Sequence, residues 1–158
     1  MGQKVLVSVF ILLGWLSLAH GQSRKMQWVD SVFNRLGEEE KIGQMFMVTV
    51  PSHASPDAIR KIENEIKTHE IGGVIFQQET PFHQASTTNR MQGISKIPLF
   101  VGQDAEWGLG QMIDSTISFP RSLVLGAIKN DSMIYRMGKE TARQMKMVGL
   151  NLNFGPIA

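Results

Sequence analysis

The chain has 158 residues, a formal net charge of +2 at pH 7 and no cysteine. Its length is that of one domain, and without cysteine it has neither disulfides nor a lipoprotein anchor, so the fold depends on the burial of apolar surface. No basic stripe with interleaved aromatic side chains is present, which argues against a nucleic acid partner. Lys139, Arg143 and Lys146 have the spacing of one solvated helix face.

The first 21 residues have the pattern of a signal peptide. Lys4 precedes an apolar run from Val5 to Leu18, and small residues stand at Ala19 and Gly21. The run is shorter than the roughly 20 residues that span a bilayer, which favours a cleaved signal over a membrane anchor. We expect cleavage after Gly21, a mature chain that begins at Gln22, export to the periplasm or the medium, and no stable membrane insertion afterwards.

The first part of the mature chain alternates helices and strands. Residues 22–27 are polar and predict a flexible lead-in. Helices are predicted over 28–36, 38–45 and from Ser55 onward, and apolar strands over 46–50 and 72–76. The third helix begins with a capping serine, a proline and an acid. Its residues Ile59, Ile62 and Ile66 have the spacing of one buried face.

The same alternation continues to the end of the chain. Predicted elements are a helix over 82–94, a strand over 97–101, a helix that begins at Asn130 or Asp131, and a strand over 150–154. The apolar side of the last helix is lined by Ile134, Met137, Thr141, Met145 and Val148. Near-continuous apolar strands that alternate with amphipathic helices are typical of a parallel sheet covered by helices. The predicted fold class is therefore α/β.

Polar residues follow the strands, and this pattern narrows the choice of α/β fold. No G-x-G-x-x-G or phosphate-cradling glycine loop is present. Instead, residues 77–79 (Gln-Gln-Glu) follow one strand, Asp104 and Glu106 follow another, and Asn153 lies at the end of the last. Active sites of (β/α)8 barrels are built at such strand ends. Four predicted strands, against eight in a barrel, indicate the N-terminal half of a (β/α)8 TIM-type barrel with about four βα units.

Asp104 and Glu106 are the first candidate functional residues. If the backbone stays extended, both side chains point the same way, and carboxylates about 6–7 Å apart fit the acid and base, or nucleophile, of a glycosidase. A second interpretation is a divalent metal site with Asp114 as a third ligand. A third is a structural loop in which Asp104 caps backbone amides and Glu106 pairs with a lysine or arginine. Spacing alone leaves these alternatives open.

Trp107 stands beside the two acids. An aromatic ring at this position suits stacking on the apolar face of a sugar, although a loop tryptophan also serves as a plug over a core. His53, His69 and His83 are scattered without metal-ligand spacing, and there is no G-x-S-x-G elbow for a serine nucleophile. The histidines therefore give no support for a zinc site, and no serine nucleophile is indicated.

Five motifs, in this order, resemble glycoside hydrolase family 3, in its β-N-acetylglucosaminidase and β-glucosidase group. The motifs are Lys41–Met45, Gly72–Phe76, Asp104–Gly108, Phe119–Pro120 and Asn153–Pro156. The resemblance extends from about Glu40 to Ala158. Together with the signal-peptide pattern, it divides the chain into a signal peptide over 1–21, a lead-in with a helix over 22–39, and a partial N-terminal barrel domain over 40–158.

The resemblance also implies roles for the residues after the third strand. Asp104 would bind hydroxyls of the sugar at the cleavage site and would not be the nucleophile. An ionised aspartate accepts charge-assisted hydrogen bonds from two neighbouring hydroxyls and fixes the ring. Trp107 would form an aromatic wall beside the sugar. Glu106, Gly108 and Asn153 would hold the loop.

The implied reaction is the retaining hydrolysis of a terminal β-linked N-acetylglucosamine or glucose, without a cofactor. The nucleophile and the acid/base of the family lie beyond the position of Ala158, so the resemblance implies that this chain lacks the C-terminal half of its barrel and is inactive alone. A non-catalytic carbohydrate-binding or scaffold protein is the alternative. Trp107 replaces a family glycine, and Leu109 and Met112 replace arginines of many members, which leaves the choice of sugar open.

Overall fold

The computed structural model describes residues 24–156, and these belong to two compact units that divide after Gly37. The predicted signal peptide, residues 1–21, lies outside the described residues. Helix α1 (Arg24–Phe33) lies in the first unit and begins before the predicted start at Trp28. The predicted flexible lead-in is therefore wrong from residue 24 onward, because residues 24–27 (Arg-Lys-Met-Gln) are strong helix formers. Within residues 24–156, no helix is long and apolar enough to cross a membrane.

The second unit alternates helices with parallel strands. Its helices are α2 (Glu38–Gly43), α3 (Pro56–His69), α4 (Pro81–Ile94), α5 (Ser122–Leu125) and α6 (Asp131–Met147), and its strands are β1 (Met47–Val50), β2 (Gly73–Phe76), β3 (Phe100–Gln103) and β4 (Leu152–Asn153). All neighbouring strands are parallel, and their order in the sheet is their order in the chain. The predicted α/β class is confirmed, and the arrangement is that of half a (β/α)8 barrel.

The helices begin where polar side chains cap their first amides. Ser55 accepts from the amide of Ala58 at α3, and Thr80 accepts from His83 at α4. At α6 the cap is Asn130, whose Oδ1 accepts from the Ser132 amide at 3.1 Å. The sequence left Asn130 and Asp131 open as the cap of this helix, and the cap is Asn130. Each bond satisfies an amide that the first helical turn leaves without a partner.

Strand β3 begins three residues later than predicted. The predicted strand started at Ile97, but the backbone of Leu99 is bonded on both sides by the side chain of Gln92 in α4. The Leu99 carbonyl also accepts from Asn151 Nδ2 at 3.1 Å, so Leu99 is bonded by side chains and not by the backbone of a neighbouring strand. From Phe100 onward the chain aligns with β2, and at Gly102 it also aligns with β4. The position of the strand is thus set by partners distant in sequence.

The core lies between the sheet and its helices. One side of the strands contributes fully buried side chains such as Val74 and Val101. The predicted face of α3, with Ile59, Ile62 and Ile66, packs into the same cluster. Burial of this apolar surface is the main stabilising term of a chain that has no disulfides. The core therefore supports the carboxyl ends of the strands from one side.

Candidate functional site

The carboxyl ends of the four parallel strands meet at one edge of the sheet. Asp104 follows β3 directly, and Gln77 follows β2. The buried side chain of Gln103 donates from Nε2 to the Gln77 carbonyl at 3.2 Å and ties these two strand ends together. In open and closed parallel sheets alike, ligands bind at this edge.

The loop after β3 is held by β4 through one side chain. Asn153 Oδ1 accepts from the Ala105 amide at 2.9 Å, and Asn153 Nδ2 donates to the Ala105 carbonyl at 3.2 Å. Ala105 is only 1% exposed, so water cannot replace these bonds. The asparagine thereby fixes the backbone of the residue between Asp104 and Glu106.

Asp104 is partly buried, and its carboxylate is free. Within residues 24–156, no group donates a hydrogen bond to this carboxylate or forms an ion pair with it. The interpretation of Asp104 as a cap for backbone amides is therefore wrong. A partly desolvated carboxylate without a protein partner retains its full capacity to accept hydrogen bonds from a ligand.

Glu106 has a different environment from Asp104. Strand β3 ends at Gln103 and the chain turns at Glu106 and Trp107, so the extended backbone assumed for a matched acid pair is absent. The Glu106 amide donates to Gln111 Oε1 at 2.8 Å. A Cβ atom at Gly155 would lie 3.0 Å from Glu106 Cγ, so the glutamate stem packs closely on the segment after β4. Glu106 thus contacts Gln111 within its own loop and the segment after β4.

Trp107 is partly exposed at the turn. Its carbonyl accepts from the Phe119 amide at 2.6 Å. The Arg121 guanidinium lies 4.7 Å from the centre of its ring, a cation–π geometry that orients both groups. Gly108 follows with φ of +90°, and a Cβ atom there would lie 2.7 Å from the Phe119 ring. This position therefore requires glycine.

The structure does not assemble the metal site that the sequence left open. In the described part of the chain, no three histidine, aspartate or glutamate side chains are close enough together to hold a metal ion. Asp114 instead accepts a hydrogen bond from Gln78 Nε2 at 2.9 Å. The interpretation in which Asp104, Glu106 and Asp114 share a divalent cation is therefore wrong.

Glu79 connects three loops at the same edge of the sheet, a role that the sequence did not reveal. It is 3% exposed, and its carboxylate lies 2.6 Å from His83 Nδ1 and 3.6 Å from His53 Nδ1. Its backbone bonds to Met112 and Asp114 in the loop after β3. Two of the histidines that looked scattered in sequence thus meet at one carboxylate. The available signal was the position of Glu79 shortly after a predicted strand.

A half-barrel sheet with a free carboxylate at its carboxyl edge places the chain in the (β/α) barrel class. Residues 38–158 match the N-terminal domain of glycosyl hydrolase family 3. This match covers most of the chain, and the protein therefore belongs to glycosyl hydrolase family 3.

Two curated relatives carry glycosidase names. A β-N-acetylglucosaminidase/β-glucosidase of Cellulomonas fimi is 24% identical over 131 residues, which are 82% of this chain and 22% of the relative. A periplasmic β-glucosidase of Salmonella typhimurium is 28% identical over 132 residues, 82% of this chain and 16% of that protein. The chain thus spans about a fifth of the length of these relatives.

Solved structures with the same fold include a β-glucoside phosphorylase, BglX, bound to 2FGlc. The two structures align with a TM-score of 0.75 at 22% identity, over 85% of this chain and 24% of the phosphorylase. A second BglX structure aligns with a TM-score of 0.71. This likeness confirms the predicted half-barrel fold.

Proposed function

We propose that this chain provides the sugar-binding part of a glycoside hydrolase that acts on a terminal β-linked N-acetylglucosamine or glucose. One observation carries the proposal: the Asp104 carboxylate is partly buried, has no partner within residues 24–156, and lies at the carboxyl edge of the sheet in a family 3 chain. Each feature suits a group that exchanges water for sugar hydroxyls.

Asp104 would accept hydrogen bonds from two neighbouring hydroxyls of one sugar. Such charge-assisted bonds are about twice as strong as neutral ones. The bonds between Asn153 and Ala105 hold the backbone next to Asp104 before the sugar arrives. A carboxylate positioned in advance loses little entropy on binding, which strengthens its contribution.

Trp107 and Arg121 would form the wall beside this sugar. One ring face of Trp107 is occupied by the Arg121 guanidinium, and the side chain is partly open to solvent. The apolar C–H face of a pyranose stacks on such rings, and the guanidinium supplies donors to its hydroxyls. Glu106 and Gly108 would keep the turn in the shape that presents both groups.

The reaction would be retaining hydrolysis. A carboxylate attacks the anomeric carbon, an acid protonates the leaving oxygen, and water then releases the sugar from the carboxylate. We assign neither the nucleophile nor the acid/base within residues 24–156. The role of the chain is to bind and orient the sugar ring whose bond is broken.

The names of the relatives support the choice of sugar and the export. The Cellulomonas fimi relative is named for both N-acetylglucosamine and glucose, and the Salmonella typhimurium relative is named as periplasmic. The apolar run from Val5 to Leu18 followed by Ala19 and Gly21 agrees with export. We therefore propose that the protein acts in the periplasm or outside the cell.

Binding to the 158-residue chain is the first test. We expect saturation-transfer NMR with methyl β-glycosides of N-acetylglucosamine and glucose to show contact with at least one sugar. Asp104→Ala should abolish the signal, whereas Asp131→Ala, an exposed aspartate on α6, should preserve it. Equal binding by both variants would refute the assignment of Asp104.

Kinetics of the complete gene product that contains this chain provide the second test. Hydrogen bonds to a charged group are worth about 1.5–3 kcal/mol each, so losing two in Asp104→Ala should lower kcat/KM about a thousandfold or more. Azide should not rescue this variant, and a mechanism-based fluoro-sugar should not label Asp104. Labelling of Asp104 would identify it as the nucleophile. Binding without any hydrolysis would favour a carbohydrate-binding or scaffold protein.

A further inference from the structure

Gln77 lies beside Asp104 at the carboxyl edge of the sheet. The last aligned pair of β2 and β3 is Ile75 with Gly102. Two further positions along both strands bring Gln77 next to Asp104. The Gln103 side chain bonds the Gln77 carbonyl at 3.2 Å, so the two strand ends remain side by side beyond that pair. Neighbouring parallel strands are about 5 Å apart, and one sugar ring can therefore contact both side chains.

The Gln77 side chain points away from the core, as the Asp104 side chain does. The backbone is still extended at Gln77, because its amide donates to the Val50 carbonyl of β1 at 3.0 Å. Successive side chains of an extended strand point to opposite faces. Gln77 follows Phe76, which is buried in the core, and Asp104 follows Gln103, which is also buried. Gln77 and Asp104 therefore share the face opposite to the helices, and both are partly exposed.

The fold fixes the backbone of Gln77 and does not use its side chain. The backbone is bonded on one side by Val50 and on the other by Gln103. Within residues 24–156, no hydrogen bond involves the Gln77 side chain. The neighbouring Gln78 differs, because its side chain donates to Asp114 Oδ1 at 2.9 Å. Gln77 thus presents the two donors and one acceptor of its amide from a backbone that is already held.

We propose that Gln77 is a specificity-determining residue that recognises, together with Asp104, one hydroxyl of the bound sugar. This inference rests on the proposed function, in which Asp104 binds the sugar. An ionised carboxylate only accepts hydrogen bonds, whereas the NH₂ of an amide only donates them. A hydroxyl that donates to Asp104 still has lone pairs, and one of these accepts from Gln77 Nε2. Hydrogen at the same ring position satisfies neither group, and fluorine cannot donate to Asp104.

Kinetics of the complete gene product on 4-nitrophenyl β-glycosides of glucose and N-acetylglucosamine test this assignment. Gln77→Ala should lower kcat/KM about 5–10-fold, the effect of one neutral hydrogen bond. Gln77→Glu keeps the shape but has no NH₂ donor, so it should be at least as slow as Gln77→Ala. Gln78→Ala is the matched control and should stay within about twofold of the unmutated enzyme, because Gln78 bonds Asp114 instead.

Monodeoxy analogues of the same sugar identify the hydroxyl. At one ring position only, the deoxy sugar should reduce the effect of Gln77→Ala to less than about twofold. Asp104→Ala should lose less activity on that analogue than on the parent sugar. The ratio of kcat/KM between two sugars within one variant does not depend on the fraction of enzyme that is folded. NMR titrations of the 158-residue chain with these sugars give the same comparison as dissociation constants, without catalysis.

Three results would overturn the assignment of Gln77. These are equal losses by Gln77→Ala on the parent and every deoxy sugar, full activity of Gln77→Glu, and different ring positions for Gln77→Ala and Asp104→Ala. A thousandfold loss in Asp104→Ala alongside any of them would leave the proposed sugar site intact. Full activity of Asp104→Ala would refute the sugar site and the role of Gln77 together.

Discussion

Replacement of Asn153 by alanine tests how the loop that carries Asp104 is fixed. The Asn153 side chain makes two hydrogen bonds to the backbone of Ala105, one as acceptor and one as donor. Alanine removes both and leaves the strand backbone unchanged. The substitution therefore isolates the connection between β4 and the loop after β3.

The size of the effect follows from the partners that remain. The Ala105 carbonyl also accepts from the Gly108 amide at 3.3 Å, so it keeps one bond. The Ala105 amide has no such replacement in the described structure, and Ala105 is 1% exposed. A buried unsatisfied donor costs about 1–3 kcal/mol and a net hydrogen bond is worth about 1 kcal/mol. We expect a loss of about 2–3 kcal/mol, or roughly 5–10 °C in Tm for a chain of this size.

Urea and thermal unfolding followed by circular dichroism at one fixed protein concentration measure this loss. The control is Asn64→Ala on the exposed side of α3, which should change stability by less than about 0.7 kcal/mol because only helix propensity changes. Asn153→Asp keeps the acceptor and should lie between the unmutated chain and Asn153→Ala. A loss below about 0.5 kcal/mol for Asn153→Ala would refute the inference that β4 holds the loop.

Three further outcomes are expected. Gly149→Ala should lower the free energy of unfolding by about 1–3 kcal/mol in urea, because Gly149 has φ of +82°. Gly138→Ala should raise it by about 0.5–1 kcal/mol, because Gly138 lies inside α6 with open space around it. Equal effects of the two substitutions would contradict this expectation. Hydrogen bonding by Arg143 lowers the pKa of Glu140 to about 2, so Glu140 should stay ionised until the pH falls well below the ordinary pKa of a glutamate. Arg143→Met should raise the pKa of Glu140 in a carboxyl NMR titration. An unchanged titration would contradict the pairing. Mass spectrometry of the protein from a secreting host should find Gln22 at the N-terminus, and a retained Met1 would refute cleavage.

The elements that the sequence predicted are those specified by neighbouring residues. The helix that begins after Ser55 was predicted from its cap, its proline and the spacing of Ile59, Ile62 and Ile66, and all of these signals act within one or two turns. The alternation of apolar strands with helices likewise predicted the α/β class. Local signals suffice where a segment's own pattern decides its structure.

Two features that the sequence did not predict depend on residues far apart in the chain. The start of β3 is shifted because Gln92 bonds the Leu99 backbone, a contact that no periodicity reveals. His83 lies only four residues from Glu79, but His53 reaches the same carboxylate because the loops after β1 and β2 lie side by side. Such contacts are properties of the assembled sheet, so spacing along the chain cannot predict them.

Whether the Asp104 carboxylate has a hydrogen-bond partner likewise depends on residues that are distant in sequence. Its position after an apolar strand was visible in sequence, and so was the choice among a cap, a metal ligand and a sugar ligand. The choice depends on which groups surround the carboxylate, and the structure describes none that bonds to it. The Asp104 carboxylate can accept hydrogen bonds from a ligand without breaking any within residues 24–156. That is why Asp104, and not the better connected Glu106, is the proposed contact to the sugar.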